Sequence, residues 1–172
     1  AVADAPTRDA DRTAVGAAEL AAFDGTDLEE RIPFDIVAAR IARVVDGSWW
    51  PAGEVRVERA RADAGSSTTR CAGDGRAGSP DVRIRLASPQ WTVATAAHEL
   101  AHVLAGVARG HDAVFRRAYL DVVAVITNID SIDRRRDLHP RQLADAFAAA
   151  GLAVAPRAWP APPASTGTPF AL

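Results

Sequence analysis

Apolar positions along this chain recur first with the period of a helix, then with that of a strand, then with that of a helix again. In residues 13–23, Val15, Ala18, Leu20, Ala21 and Ala22 give a weakly amphipathic helix that Gly25 breaks. Residues 34–46 carry a stronger pattern, with Ile36 or Val37, Ile41, Val44 and Val45 on one side and Gly47 at the end. From Glu54 the period drops to two. Val55 and Val57 alternate with Glu54, Arg56 and Glu58, which predicts a strand with one face inward. The Ser- and Thr-rich residues 66–71 predict a second strand, followed by a turn containing Gly73-Asp74-Gly75 and Gly78-Ser79-Pro80. Val82, Ile84 and Leu86, alternating with Arg83 and Arg85, predict a third.

Helical spacing returns at Val93, Ala97, Leu100, Leu104 and Val107, where steps of four and three draw one apolar stripe. Ser88-Pro89 ahead of it offers an N-cap hydroxyl and a proline for the first turn. A further helix is expected over residues 113–127, capped by Asp112, and a last one over 140–150 with Leu143 and Phe147 inward and Gly151 beyond its end. The expected fold is therefore α+β: helices flanking a short, mainly antiparallel three-stranded sheet. Residues 1–11 read as a flexible leader, 12–155 as one domain, and 156–172, with five prolines, as an extended tail.

The stripe gives weight to the motif beside it, His98-Glu99-Leu100-Ala101-His102. Residues four apart on a helix lie about 40° from each other, so His98 and His102 can converge on one ion while the backbone stays regular. Zinc accepts such a pair, and Glu99 between them is placed to take a proton from a zinc-activated water. A catalytic zinc needs one more protein donor. His111 is the candidate, brought back toward the first helix by turns at Gly106 and Gly110. Asp112 is the rival donor, although capping of the following helix also accounts for it.

The run HELAHVLAGVARGHDAVFRRAYLDVV, residues 98–123, resembles the active-site segment of SprT-like and related small gluzincin-type zinc metallopeptidases. Those families place a third histidine in an HGxxF-like element opening the next helix, matched here by His111-Asp112-Ala113-Val114-Phe115 with Asp112 in place of the glycine. The segments IRLA at Ile84 and QWTVAT at Gln90 are also similar to those of small metallohydrolases of high-GC bacteria. The resemblance implies a minimal zincin fold and hydrolysis of an amide in a peptide or protein. It further implies that the strand preceding the zinc helix forms the cleft rim with a free edge, where Arg83 and Arg85 either line the rim or simply face solvent. Metzincins are excluded because Ala105 and Ala108 stand where their glycine and third histidine belong and the chain has no Met. A thermolysin-like glutamate ligand is excluded because residues 113–126 contain no Glu.

Charge narrows the partners. Twenty Lys and Arg against 22 Asp and Glu give a net charge of −2, so no global attraction to nucleic acid or anionic membrane exists. The flanking Asp133 and Asp137 offset the Arg134-Arg135-Arg136 run, which reads as a solvated loop. No apolar run approaches the ~20 residues of a membrane span and no apolar signal core opens the chain, so a cytoplasmic protein is expected. The single Cys71 excludes a disulfide framework and a four-cysteine zinc ribbon, and it reads as an incidental thiol. The same residues leave two alternatives to a peptidase: a non-catalytic, zinc-stabilised interaction module and a zinc hydrolase of non-peptide bonds. Tyr119, two turns after His111, and His139, before Pro140, are candidate transition-state stabilisers, each with a plainer reading as a core aromatic and a helix-start residue.

Overall fold

A computed structural model describes residues 9–72, 81–129 and 138–163. In chain order these form α1 (Arg12–Phe23), α2 (Phe34–Val45), β1 (Val55–Arg59), β2 (Thr68–Ala72), β3 (Asp81–Leu86), α3 (Val93–Ala105), α4 (Ala113–Asn128) and α5 (Leu138–Ala149). The glycine-rich turn before β3, the Arg134-Arg135-Arg136 run and the end of the tail lie outside the described residues. No helix among the described residues is long and apolar enough to cross a membrane.

The α+β class holds, but the sheet is mixed rather than mainly antiparallel. Its order is β1-β3-β2, with β1 parallel and β2 antiparallel to β3. The alternation of Val82, Ile84 and Leu86 predicts one buried face yet says nothing of neighbours. The most apolar strand takes the centre: Ile84 and Leu86 are fully buried, and both edges of β3 carry ladder hydrogen bonds. Hydroxyl-rich β2 is left on the outside. The expectation that β3 offers a free edge at the cleft is thereby overturned, because β2 occupies that place. Arg83 and Arg85 lie on the sheet face away from the core and pair with Glu58 of β1.

The inner face of the sheet packs on α2 and α3, and α3 packs in turn on α4. Val37, Ile41 and Val44 supply the buried side of α2, with Val37 rather than the exposed Ile36 facing the core. Val15, Ala18, Ala22 and Phe23 do the same for α1, while Leu20 faces solvent. Leu143 and Phe147 seat α5 against α1 and α4. Trp50 joins the core and donates its indole N–H to the Gly53 carbonyl, and Trp49 donates to the carbonyl of Pro160.

The folded unit extends past both boundaries expected for residues 12–155. Asp11 pairs with the buried Arg116 at 2.8 Å, and Asp9 reaches the site described below. At the other end, Arg157 and the indole of Trp159 both donate to the buried Asp121 carboxylate. A buried carboxylate demands such partners, so the start of the tail is packed and not simply extended.

Candidate metal centre

Thr92, not Ser88, caps α3. Its hydroxyl accepts from the Thr95 N–H, while Ser88-Pro89-Gln90 forms a separate short turn before it. The helix ends at Gly106, whose φ of +111° only glycine adopts without strain. Gly110 at φ +69° then turns the chain, and a Cβ there would meet the Asp9 carboxylate at 3.0 Å. Asp112 opens α4 by accepting from the N–H groups of Val114 and Phe115 and also pairs with Arg109. Capping therefore accounts for Asp112, and it stands outside the histidine cluster.

His98, His102 and His111 come together, with one ligand nitrogen of each lying within 4.8 Å of the other two. The Nε2 atoms of His98 and His111 are 3.1 Å apart. Two donors on one tetrahedral zinc are about 3.3 Å apart, so the pair has the correct spacing. Phe115, fully buried, lies against all three rings, with centroid distances of 5.1, 4.4 and 4.7 Å to His98, His102 and His111. It restrains their tilt.

Two carboxylates orient the rings from behind. Glu19 of α1 lies 3.2 Å from His98 Nδ1, and Asp9 lies 2.5 Å from His111 Nδ1. An ionised carboxylate only accepts, so each Nδ1 carries the proton and each Nε2 presents a lone pair. Two lone pairs facing each other at 3.1 Å repel unless a positive centre lies between them. A proton could bridge two nitrogens; the convergence of a third imidazole fits a metal cation. Burial and the neighbouring His98 and His111 push the His102 pKa down to about 3, which keeps that ring in the neutral, ligand-competent form. Burial likewise lowers His111 despite the Asp9 hydrogen bond. For His98 burial acts downward too, but the hydrogen bond and charge of Glu19 outweigh it and the pKa is raised.

Glu99 is buried on the side of α3 that faces β2, and its Oε2 accepts from the Thr69 hydroxyl at 2.5 Å. Desolvation raises its pKa above the ordinary carboxylate value, with the Thr69 hydrogen bond and His98 acting in the opposite sense. His98, Glu99, His102 and His111 line one cleft of about 430 Å³, bordered by Ser66, Ser67 and the start of β2 on one side and by Arg12, Gly16 and Glu19 of α1 on the other.

The two candidate stabilisers are placed elsewhere. Tyr119 is fully buried behind His98, donates its hydroxyl to Glu19, and does not line the cleft. It holds the carboxylate that holds His98. His139 packs edge-on against Phe23 and contacts Asp27 and Gln142, so it is a helix-start residue and not a site residue.

Sequence reasoning missed Asp9, Glu19 and Thr69. Asp9 and Glu19 lie 102 and 79 residues from the histidines they touch, and no local pattern marks them. Only the mismatch of a Glu on a helix packed beside the motif could have pointed to Glu19. No protein-family model, curated protein or solved structure matches this chain.

Proposed function

We propose that this protein is a zinc-dependent hydrolase of the minimal zincin type, akin to the SprT-like metallopeptidases, and that it cleaves amide bonds in peptides with Glu99 as general base. One observation carries the reading. Three imidazoles from two helices converge at a cleft that also holds a buried, hydrogen-bonded carboxylate next to the first of them.

His98, His102 and His111 would hold the ion. When bound, zinc supplies Lewis acidity to a substrate carbonyl and lowers the pKa of a water toward ~7. Thr69 engages Oε2 of Glu99, which leaves Oε1 to take the proton of the attacking water and hand it to the leaving amine. The raised pKa of Glu99 suits that shuttle, since a stronger base in a dry site accepts a proton more readily. Asp9 and Glu19 keep the imidazole lone pairs aimed at the ion throughout, and Phe115 keeps the rings from tilting.

A structural role for the ion is the second reading, favoured by the way the same imidazoles tie Asp9 and α1 to α3 and α4. Glu99→Gln separates the two. Zinc content and thermal midpoint should stay at wild-type values while cleavage of a peptide library falls by about 10²–10⁴-fold. Equal hydrolysis by wild type and variant leaves only the structural role, and activity confined to ester or other non-amide probes would reassign the substrate.

A further inference from the structure

Of the three histidines, only His111 lies outside a helix. His98 and His102 sit within α3, where the backbone ladder fixes them, whereas His111 precedes the Asp112 cap and the α4 ladder starts at the Asp112 carbonyl, which accepts from the Arg116 N–H. Its backbone must be held by other means. The turn before it offers little, since Gly106 and Gly110 both take positive φ and glycine is the residue with the most backbone freedom.

Two residues supply the hold. Asp9 accepts from the His111 N–H and lies against its Nδ1, an approach that the missing side chain of Gly110 permits. The His111 carbonyl accepts from Nη1 of Arg116 at 2.8 Å, in a bond closed off from solvent. Every polar atom of His111 except Nε2 is thereby engaged, and Nε2 is the atom that faces His98.

Arg116 is only 4% exposed. Burial of a cation is strongly unfavourable unless its donors are satisfied and a counter-charge lies beside it, and here distant segments meet both conditions. Nη1 also donates to Asp11 Oδ2 at 2.8 Å, and Nε donates to the Ala153 carbonyl at 2.6 Å. Next to it, Arg117 donates to the Ala155 carbonyl, and the Ala155 N–H returns to the carbonyl of Ala113. Residues 9–11 and 152–155 are thus fastened to the first turns of α4. A staple between those segments would need only Asp11 and Ala153; the shared Nη1 brings His111 into the same group.

We propose that Arg116 is a positioning residue for the third ligand: it grips the His111 carbonyl while tied to Asp11 and Ala153, so that metal affinity depends on residues 9–11 and 152–155 being docked. The planar guanidinium spans three acceptors at once, which a lysine ammonium, a single point of charge, does not. The proposal rests on the metal part of the hydrolase reading and not on the bond that is cut.

The test uses the full-length protein with zinc itself as the probe. The zinc Kd is read by chelator competition at a temperature where circular dichroism shows each variant folded. Arg116→Lys keeps the charge without the fork and should weaken zinc about tenfold. Asp11→Ala removes the counter-charge from its more exposed side and should weaken zinc by less. Val37→Ala, at a fully buried position of α2 that does not line the cleft, is the stability control and should leave the Kd in place. With cobalt in place of zinc, the visible absorption band should change in Arg116→Lys and not in the control. Coupling is reciprocal, so zinc should slow amide exchange at Ala155 in the wild type and not in Arg116→Lys. A wild-type Kd in both Arg116→Lys and Asp11→Ala overturns the proposal, as does an equal loss in Val37→Ala. Should Arg116→Lys fail to fold, Asp11→Ala decides, and an unchanged Kd there overturns it. Zinc lost in His111→Ala but kept in the other variants removes the grip alone; a grip present in a protein that cleaves no peptide removes only the hydrolase.

Discussion

The two flanks of the cleft are built to different rules. On the α1 and α4 side the groups behind the histidines are paired: His98 to Glu19, Glu19 to Tyr119, His111 to Asp9, and Arg116 to Asp11, with Phe115 packed beneath the rings. On the β2 side the Thr69 hydroxyl alone steadies the Glu99 carboxylate. An ion site works only if its donors are held to within a few tenths of an ångström, and carboxylates hydrogen-bonded behind imidazoles do that. The contrast teaches where disruption will cost metal and stability and where it will cost only turnover.

The comparison breaks hardest at the paired flank. His111→Ala should abolish stoichiometric zinc retention after dialysis against a weak chelator; unchanged zinc content would move the third ligand elsewhere. Phe115→Ala should cost about 3–5 kcal/mol in urea unfolding at constant m-value, because a fully buried ring under three imidazoles leaves a cavity. A loss well under 1 kcal/mol would show that the ring is not packed as described. Asp9→Asn and Glu19→Gln should each weaken zinc by about 10–100-fold in a competition titration while leaving the unfolding midpoint of the metal-free protein nearly in place. Wild-type affinity in both variants would mean the carboxylates do not orient the rings.

Smaller effects sharpen the picture. Asp112→Ala removes the α4 cap and should cost about 1 kcal/mol at neutral pH. Burial acts to raise the Asp112 pKa, but the Phe115 N–H, Arg109 and the Val114 N–H outweigh it, so it falls below its usual 3.8. A depressed carboxylate contributes its stability above the unfolded value and loses it as pH falls through the folded one. The wild-type advantage should therefore be full above pH 3.8 and shrink below it; an advantage independent of pH would sink the cap assignment.

Legibility of the fold followed the range of the interactions involved. Five helices and three strands were readable because burial imposes a local period, and the reading of Leu143 and Phe147 as inward positions holds in full. Leu20 misled because an apolar residue off the stripe carries the same letter as one on it, yet it lies exposed. Ser88-Pro89 misled because two capping hydroxyls precede α3, and only the backbone turn at Ser88–Gln90 decides that Thr92 is the cap. Sheet order was not readable at all: alternation in β3 is the same whether it sits at the centre or at an edge.

By itself, the sequence determined that two histidines four apart share a helix face with a glutamate between them; it left Asp112 open between helix cap and ligand, and the structure decided for the cap. The shared face is a consequence of helical geometry over a few residues. Only the tertiary structure decided that His111 closes on that pair, that Asp9 and Glu19 stand behind the rings, and that β2 rather than β3 borders the cleft. Those contacts join groups up to 102 residues apart, and their selection depends on which faces pack together, a quantity that no local period encodes.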